Sequence, residues 1–189
     1  AVFGVPLSAV TPELRKRAKA VNFGIVYGIG DYSLSVDLGI TKKQAGEYIA
    51  NYLARFHAID SYLKDTVRMA YDHGFVETIF GRRRYIPELK ASNKMMRSFG
   101  ERVAMNSPIQ GSAADIIKIA MVNTRTALAA ANIDARLILQ VHDELVVEAA
   151  RSCADEAAMI LRREMENAVH LSVPLSVDLT VGDTWYENK

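Results

Sequence analysis

ARLILQVHDELVVEA, residues 135–149, holds two apolar runs on either side of one polar cluster. Ala135–Val141 and Leu145–Ala149 are rich in Leu, Ile and Val, and His142-Asp143-Glu144 lies between them. Short apolar runs broken by a few polar residues predict a tight β-hairpin. Working outward, Ser152 reads as the cap of a helix reaching about Val169, and Val173–Val181 reads as a final strand before Trp185.

Upstream the pattern is helical. Residues 93–131 read as one long helix, kinked at Pro108 and weakened by Gly111. Phe75–Phe80 and Arg83–Ile86 read as a small hairpin turning at Gly81-Arg82 and closed by Pro87. Thr41-Lys42-Lys43-Gln44 is a capping box opening a helix to about Arg55, and another helix runs from about Ala58 to Asp72 with Gly74 beyond its end. Thr11-Pro12-Glu13 supplies an N-cap, a first-turn proline and a first-turn acid for a helix reaching about Tyr27, which should stop at Gly28-Ile29-Gly30. Helices followed by β-β-α-β indicate an α+β fold of two layers.

Half of the 189 residues are apolar and 24% are charged, an ordinary globular composition that excludes a disordered or fibrous chain. The net charge of +1 hides a division. Residues 1–110 carry 16 Lys/Arg and 10 Asp/Glu, net +6; residues 111–189 carry 7 and 12, net −5. A basic half suits an anionic ligand, and an acidic half suits cations. The single cysteine, Cys153, excludes a disulfide framework and a Cys-rich zinc site. No apolar run reaches the roughly 18 residues needed to span a bilayer. The start at Ala1 lacks an initiator Met and a basic segment, so no signal peptide is read there. The expectation is a cytosolic chain, a piece of a longer one, with no membrane partner.

Three groups of residues point to chemistry. Arg15, Lys19, Phe23 and Tyr27 are each four apart, a step of about 400°, so they form one slowly winding stripe. Cations for phosphates and rings for a base or sugar are what a nucleotide site needs. The alternative is a partly buried helix whose Arg and Lys stems lie along apolar surface. Gly24, inside this helix, costs about 1 kcal/mol against Ala and asks for a reason, such as close approach of a ligand or backbone.

Arg102, Asn106 and Gln110 form a second stripe at the same spacing, suited to hydrogen bonding with sugars, base edges or a nucleic-acid backbone; a solvated helix face is the alternative. At the hairpin, Asp143 and Glu144 should both stand at the tip, where adjacent carboxylates repel unless a cation joins them. Mg²⁺, which takes one or two carboxylates plus substrate phosphates, suits the pair; a plain acidic turn is the alternative. Zinc on His142 is disfavoured, since no second His lies at metal spacing. Arg82-Arg83-Arg84 adds to a phosphate-facing surface with Arg15, Lys16, Arg17, Lys19, Lys42 and Lys43.

Taken in order, these segments resemble family A DNA polymerases, the bacterial DNA polymerase I family, across essentially the whole chain. RKRAKAVNFGIVYG (15–28) resembles motif B, the O helix of the fingers; RVAMNSPIQGSAAD (102–115) resembles the palm helix; QVHDE (140–144) resembles motif C. The resemblance implies a helical fingers subdomain at 1–97, followed at 98–189 by part of an antiparallel-sheet palm of hairpin, helix and strand. It implies that Arg15 and Lys19 hold the triphosphate of the incoming deoxynucleotide and that Phe23 packs on its sugar and base, disfavouring dideoxynucleotides. It places Tyr27 near the templating base, and Arg102, Asn106 and Gln110 on primer–template DNA. It implies Asp143 as a ligand of catalytic Mg²⁺, Glu144 assisting it and His142 near the primer terminus.

The implied reaction is attack of a primer 3′-hydroxyl on the α-phosphate with release of pyrophosphate. Two Mg²⁺ ions are expected to stabilise the attacking and leaving oxygens, and Lys19 the charge growing on pyrophosphate. Motif A, which supplies the family's second metal-binding Asp, has no counterpart here. Asp31-Tyr32-Ser33-Leu34-Ser35 looks like it but follows motif B, where the family has a fingers loop. The N-terminal palm and thumb of the same polypeptide are therefore expected partners, and these 189 residues alone are expected to be inactive. Two other readings compete. One is a nucleotide- or DNA-binding module without catalysis, favoured for the isolated chain. The other is a fragment of a single-subunit RNA polymerase, against which Phe23 and Glu144 speak. A bacterial cytoplasmic, nucleoid-associated location follows from the resemblance.

Overall fold

The computed structural model describes residues 5–188, and packing divides the chain into two units, Ala1–Gln110 and Gly111–Lys189. This boundary falls where the charge changes sign, so the first unit is the basic one and the second the acidic one.

The first unit is built on short helices with strong terminal signals. Helix α1 (Pro12–Val26) starts at Thr11, whose hydroxyl accepts a hydrogen bond from the Leu14 N–H at 3.2 Å. Helix α2 (Asp31–Leu38) occupies the segment read as a loop. Its signals are weak: Gly30 at the N-cap makes no side-chain cap, and its end is fixed by Gly39 at φ +63°. What holds it is tertiary, since Leu34 is fully buried against α1. Helix α3 (Lys42–Arg55) carries the expected capping box, with Thr41 and Gln44 each bonding the other's backbone N–H. Helix α4 (His57–His73) ends at Gly74, whose φ of +78° lies in the left-handed region that glycine adopts without penalty.

Val21 and Ile25 of α1, Leu34 of α2, Ala45 and Tyr52 of α3 and Leu63 of α4 form one core. The buried Tyr52 donates its hydroxyl proton to Asn22 Oδ1 at 2.5 Å. A second core gathers Ala70, Val76, Ile86, Leu89 and Ala104 under the first hairpin.

That hairpin is shorter than the sequence suggested. Strands β1 (Phe75–Glu77) and β2 (Arg83–Tyr85) pair antiparallel over three residues each. Thr78 ends β1 early: its N–H bonds the Arg82 carbonyl, and its hydroxyl accepts from the Phe80 and Arg82 N–H groups. Gly81 (φ +77°) completes the turn.

Helix α5 (Lys94–Ala131) is continuous through Pro108 and contributes to both units. In the second unit its later turns and α6 (Ala154–Glu166) cover one face of the hairpin made by β3 (Ala135–Val141) and β4 (Glu144–Ala149). Ile117 and Ala120 meet Leu145, and Leu128 meets Ala157 and Ile160. The register pairs Val141 with Glu144 and shifts between Leu137 and Leu139.

Two expectations fail here. Ser152 does not cap a helix: Arg151–Cys153 forms a 3₁₀ turn closed by Cys153 N–H to the Ala150 carbonyl, and α6 starts only at Ala154. Residues 173–181 alternate in burial, with Leu175, Val177 and Leu179 half-buried, yet they join no ladder. Val177 N–H donates instead to the Glu166 carboxylate at 3.1 Å, and Pro174 has no donor to offer. Among the described residues no helix is long and apolar enough to cross a membrane.

Replacing Thr41 with Ala removes the hydroxyl that accepts the Gln44 N–H, while residue 41 keeps its own backbone N–H, and should cost about 1 kcal/mol, read as a lower urea midpoint with an unchanged slope. Native-state hydrogen exchange should find the amides of residues 175–180 weakly protected beside those of β3 and β4. Equal protection would show a ladder that the fold lacks.

Candidate nucleotide and nucleic-acid site

The first stripe is intact on α1. Arg15, Lys19, Phe23 and Tyr27 are all exposed, while Val21 and Ile25 on the opposite face are buried. Phe23 keeps 48% of its surface and Tyr27 42%, high values for aromatic side chains on a helix that packs into a core. The Lys19 ammonium stands 5.7 Å from the Phe23 ring centroid. The Phe23 and Tyr27 rings lie 6.4 Å apart at 21°, close to parallel. Glu13 pairs with Arg17 at 3.1 Å on another side of the helix, so this first-turn acid binds a residue outside the stripe.

The two glycines of the stripe have one explanation. Tyr27 is the C-cap, and Gly28 follows with φ +70°. Gly28 N–H bonds the Ile25 carbonyl at 2.9 Å and Ile29 N–H bonds the Gly24 carbonyl at 2.8 Å. This paired 5→2 and 6→1 pattern is a Schellman motif, which normally brings the side chain after the glycine onto the third-last helical residue. Here those are Ile29 and Gly24, and a Cβ on Gly24 would stand 2.8 Å from Ile29 Cγ2. Gly24 therefore makes room for the chain reversal that holds Tyr27 at the helix end.

The second stripe lies on α5. Arg102 and Gln110 are exposed, and the Arg102 guanidinium sits 6.0 Å from the Phe99 ring. Asn106 is half-buried, and its buried Oδ1 has no hydrogen-bond partner. A polar atom left so is an expensive feature unless something binds it. The end of α1 meets this helix directly. A Cβ on Gly28 would lie 3.1 Å from Arg102 Cγ and 2.6 Å from Met105 Cε, so the two stripes are joined within the first unit. Nothing in the sequence pattern signalled the Gly28–Met105 contact.

In the second unit, His142 and Asp143 form the two-residue loop between β3 and β4, with His142 at φ +52°. Both are exposed. Glu144 is not at the tip with Asp143: it is the first residue of β4, opposite Val141. One of its oxygens, Oε1, accepts the Trp185 indole N–H at 2.6 Å. Spacing alone could not show this, because 41 residues separate the two. Among the described residues no group of three or more His, Cys, Asp or Glu side chains is placed to hold a metal ion. Asp143 and Glu144 offer hard oxygen donors open to solvent, a partial set that fits a cation taking its remaining ligands from phosphate and water.

Other candidate charges are partly engaged. Arg83 pairs with Glu77 at 2.8 Å and lies 4.5 Å over the Phe75 ring, so the Arg82–Arg84 run is not three equivalent free cations. Hydrogen bonding to Glu77 raises the Arg83 pKa above its usual value. Asp31 starts α2, accepts the Tyr32 N–H at 2.7 Å and lies 3.7 Å from Lys42.

Comparison with known proteins bears on the family. The family model for DNA polymerase family A matches residues 1–187. DNA polymerase I of Caldicellulosiruptor bescii is 53% identical over 188 residues, covering all of this chain and 22% of that protein. DNA polymerase I of Bacillus subtilis is 51% identical over 188 residues, again covering all of this chain and 21% of its own length. Among solved structures, the POL domain of Pol1 from M. smegmatis, in complex with DNA primer-template and dNTP, matches 93% of this chain and 31% of that one with a TM-score of 0.88 at 45% identity. The chain thus spans about a fifth of the curated relatives it matches. With a family model matched from end to end and half of its residues shared with these relatives, the chain belongs to DNA polymerase family A.

Proposed function

We propose that this chain is the fingers and C-terminal palm portion of a template-directed DNA polymerase, with the fingers at 1–97 and the palm portion at 98–189. The observation that carries the reading is the exposed row Arg15, Lys19, Phe23 and Tyr27 on a helix whose other face is core. Two cations followed by two near-parallel rings match a deoxynucleoside triphosphate laid along the helix, phosphates first.

Arg15 and Lys19 bind and orient the triphosphate, and Lys19 neutralises charge that develops on the departing pyrophosphate, an interaction strongest in the transition state. Phe23 packs on the sugar and base, and Tyr27, held at the helix end by the Schellman turn, stacks near the templating base. Arg102, Asn106 and Gln110 contact primer–template DNA, and the unpartnered Asn106 Oδ1 supports a ligand on this row. His142 lies by the primer terminus. Asp143 and Glu144 hold Mg²⁺, which when bound supplies charge neutralisation for the primer 3′-oxygen and the α-phosphate. Two ions are expected in the complete enzyme. The Trp185 hydrogen bond holds one Glu144 oxygen, and the second oxygen would be the one to meet the cation. The partners are primer–template DNA, deoxynucleoside triphosphates and the N-terminal palm and thumb of the same polypeptide; the setting is the bacterial cytoplasm.

For the 189 residues alone the reading is a DNA- and nucleotide-binding module. Asp143 and Glu144 are adjacent, and no third acid joins them among the described residues.

In the full-length enzyme, Asp143→Ala should lower the primer-extension kcat by on the order of 10²–10³, the scale of a lost electrostatic group; unchanged extension would refute the assignment. The isolated chain should bind primer–template DNA with an affinity that falls as salt rises and should extend no primer. Measurable incorporation would overturn the module reading. Trp185 is the only tryptophan of these 189 residues, so in the isolated chain the tryptophan fluorescence reports on Glu144. Paramagnetic Mn²⁺ should quench it, and Asp143→Ala should weaken the quenching.

A further inference from the structure

Gly28 is required twice over. Its φ of +70° is a conformation that side chains with a Cβ rarely adopt, and its Cα faces α5 with no room for one. A Cβ there would meet Met105 Cε at 2.6 Å, Arg102 Cγ at 3.1 Å and Arg102 Cα at 3.5 Å. These neighbours differ in what they can yield. Met105 Cε is the free end of a flexible chain and can swing aside. Arg102 Cα, backbone of a long helix, is already at ordinary contact distance, and Arg102 Cγ would have to give by a few tenths of an ångström, taking the rest of its side chain with it. Once Met105 has swung aside, the crowding that remains at position 28 falls on the Arg102 stem, which carries the guanidinium now 6.0 Å from the Phe99 ring.

We propose that Gly28 is a positioning residue for the polymerase reaction: by offering a bare Cα to α5 it lets the Arg102 stem lie close against the helix end, and so ties the end of the nucleotide-facing helix to the aim of a primer–template contact. This rests on the reading of Arg102 as a DNA contact. Gly28 touches no substrate and acts through Arg102. Its steric effect belongs to primer–template binding, whereas the backbone strain of a substitution there acts on the Schellman turn that holds Tyr27, and so on stability and the nucleotide KM.

The test is a double-mutant cycle in the full-length polymerase, measuring the primer–template Kd, the deoxynucleotide KM, kcat and the melting temperature. Arg102→Ala should weaken primer–template binding about tenfold or more, and Gly28→Ala should reproduce about three- to tenfold of that loss, with any change in the nucleotide KM, which arises at the Tyr27 turn, the same in both backgrounds. In the Arg102→Ala background, Gly28→Ala should change the primer–template Kd by less than about twofold, while still lowering the melting temperature. Additive losses would show that Gly28 does not act through Arg102 and would overturn the proposal. Restoration of binding by Met105→Ala in the Gly28→Ala protein would overturn it too, since crowding at Met105 would then be the cause. If Arg102→Ala leaves primer–template binding unchanged, the DNA-contact reading itself fails, and the functional role of Gly28 with it. A crystal structure of the Gly28→Ala polymerase separates the two failures: a displaced Arg102 side chain supports the steric link, and an unmoved one refutes it.

Discussion

Burial of Val21 and Ile25 is the constraint on which the basic unit depends. The two residues are four apart, and each lies two positions, about 200°, from a member of the row that includes Lys19, Phe23 and Tyr27. Driving Val21 to zero exposure and Ile25 to 4% therefore turns that row outward. Leu34, Ala45, Tyr52 and Leu63 form the seat, so α2, α3 and α4 act as a mount for α1. The Schellman turn then stops α1 where Tyr27 is still on the surface. Orientation and length of the helix are both fixed from the buried side, without any ligand.

The second unit solves a different problem. A hairpin with a two-residue loop puts a carboxylate in solvent while its strands stay under two helices. Leu145, one residue beyond Glu144, is buried against Ile117 and Ala120. Strand alternation then sends Glu144 the other way, toward Trp185. The acid pair is thus split by the pleat: Asp143 belongs to the loop and Glu144 to the strand.

Much of this was legible in the residues. Thr11-Pro12, the Thr41–Gln44 box and Gly74 act locally, and the helices they bound lie where the signals put them. The two apolar runs around residues 142–144 paired as expected, because a tight turn needs only neighbours in sequence. What failed needed distant partners. Helix α2 is held by Leu34 in a core drawn from three other helices, which eight residues with two serines cannot announce. Residues 173–181 carry a strand's alternation, but a strand exists only where another backbone answers its hydrogen bonds. The site showed the same division. The stripes were visible as spacing, whereas the contact of Gly28 with Arg102 and of Trp185 with Glu144 joins segments dozens of residues apart.

The outward row on α1 also bears on what the helix would be under selection for stability alone. Two like charges one turn apart oppose helix formation, and Phe23 and Tyr27 leave apolar surface in water. A glutamate at position 15 or 19 and polar residues at 23 and 27 would make a better helix and a more soluble surface. The row is a locally frustrated surface in a well-capped element, the mark of a trade between robustness and activity. On the proposed reading, a polyanion lying along it would remove the repulsion and cover the rings together, and the free protein would carry, as a deficit in its own stability, the shape and charge of that ligand.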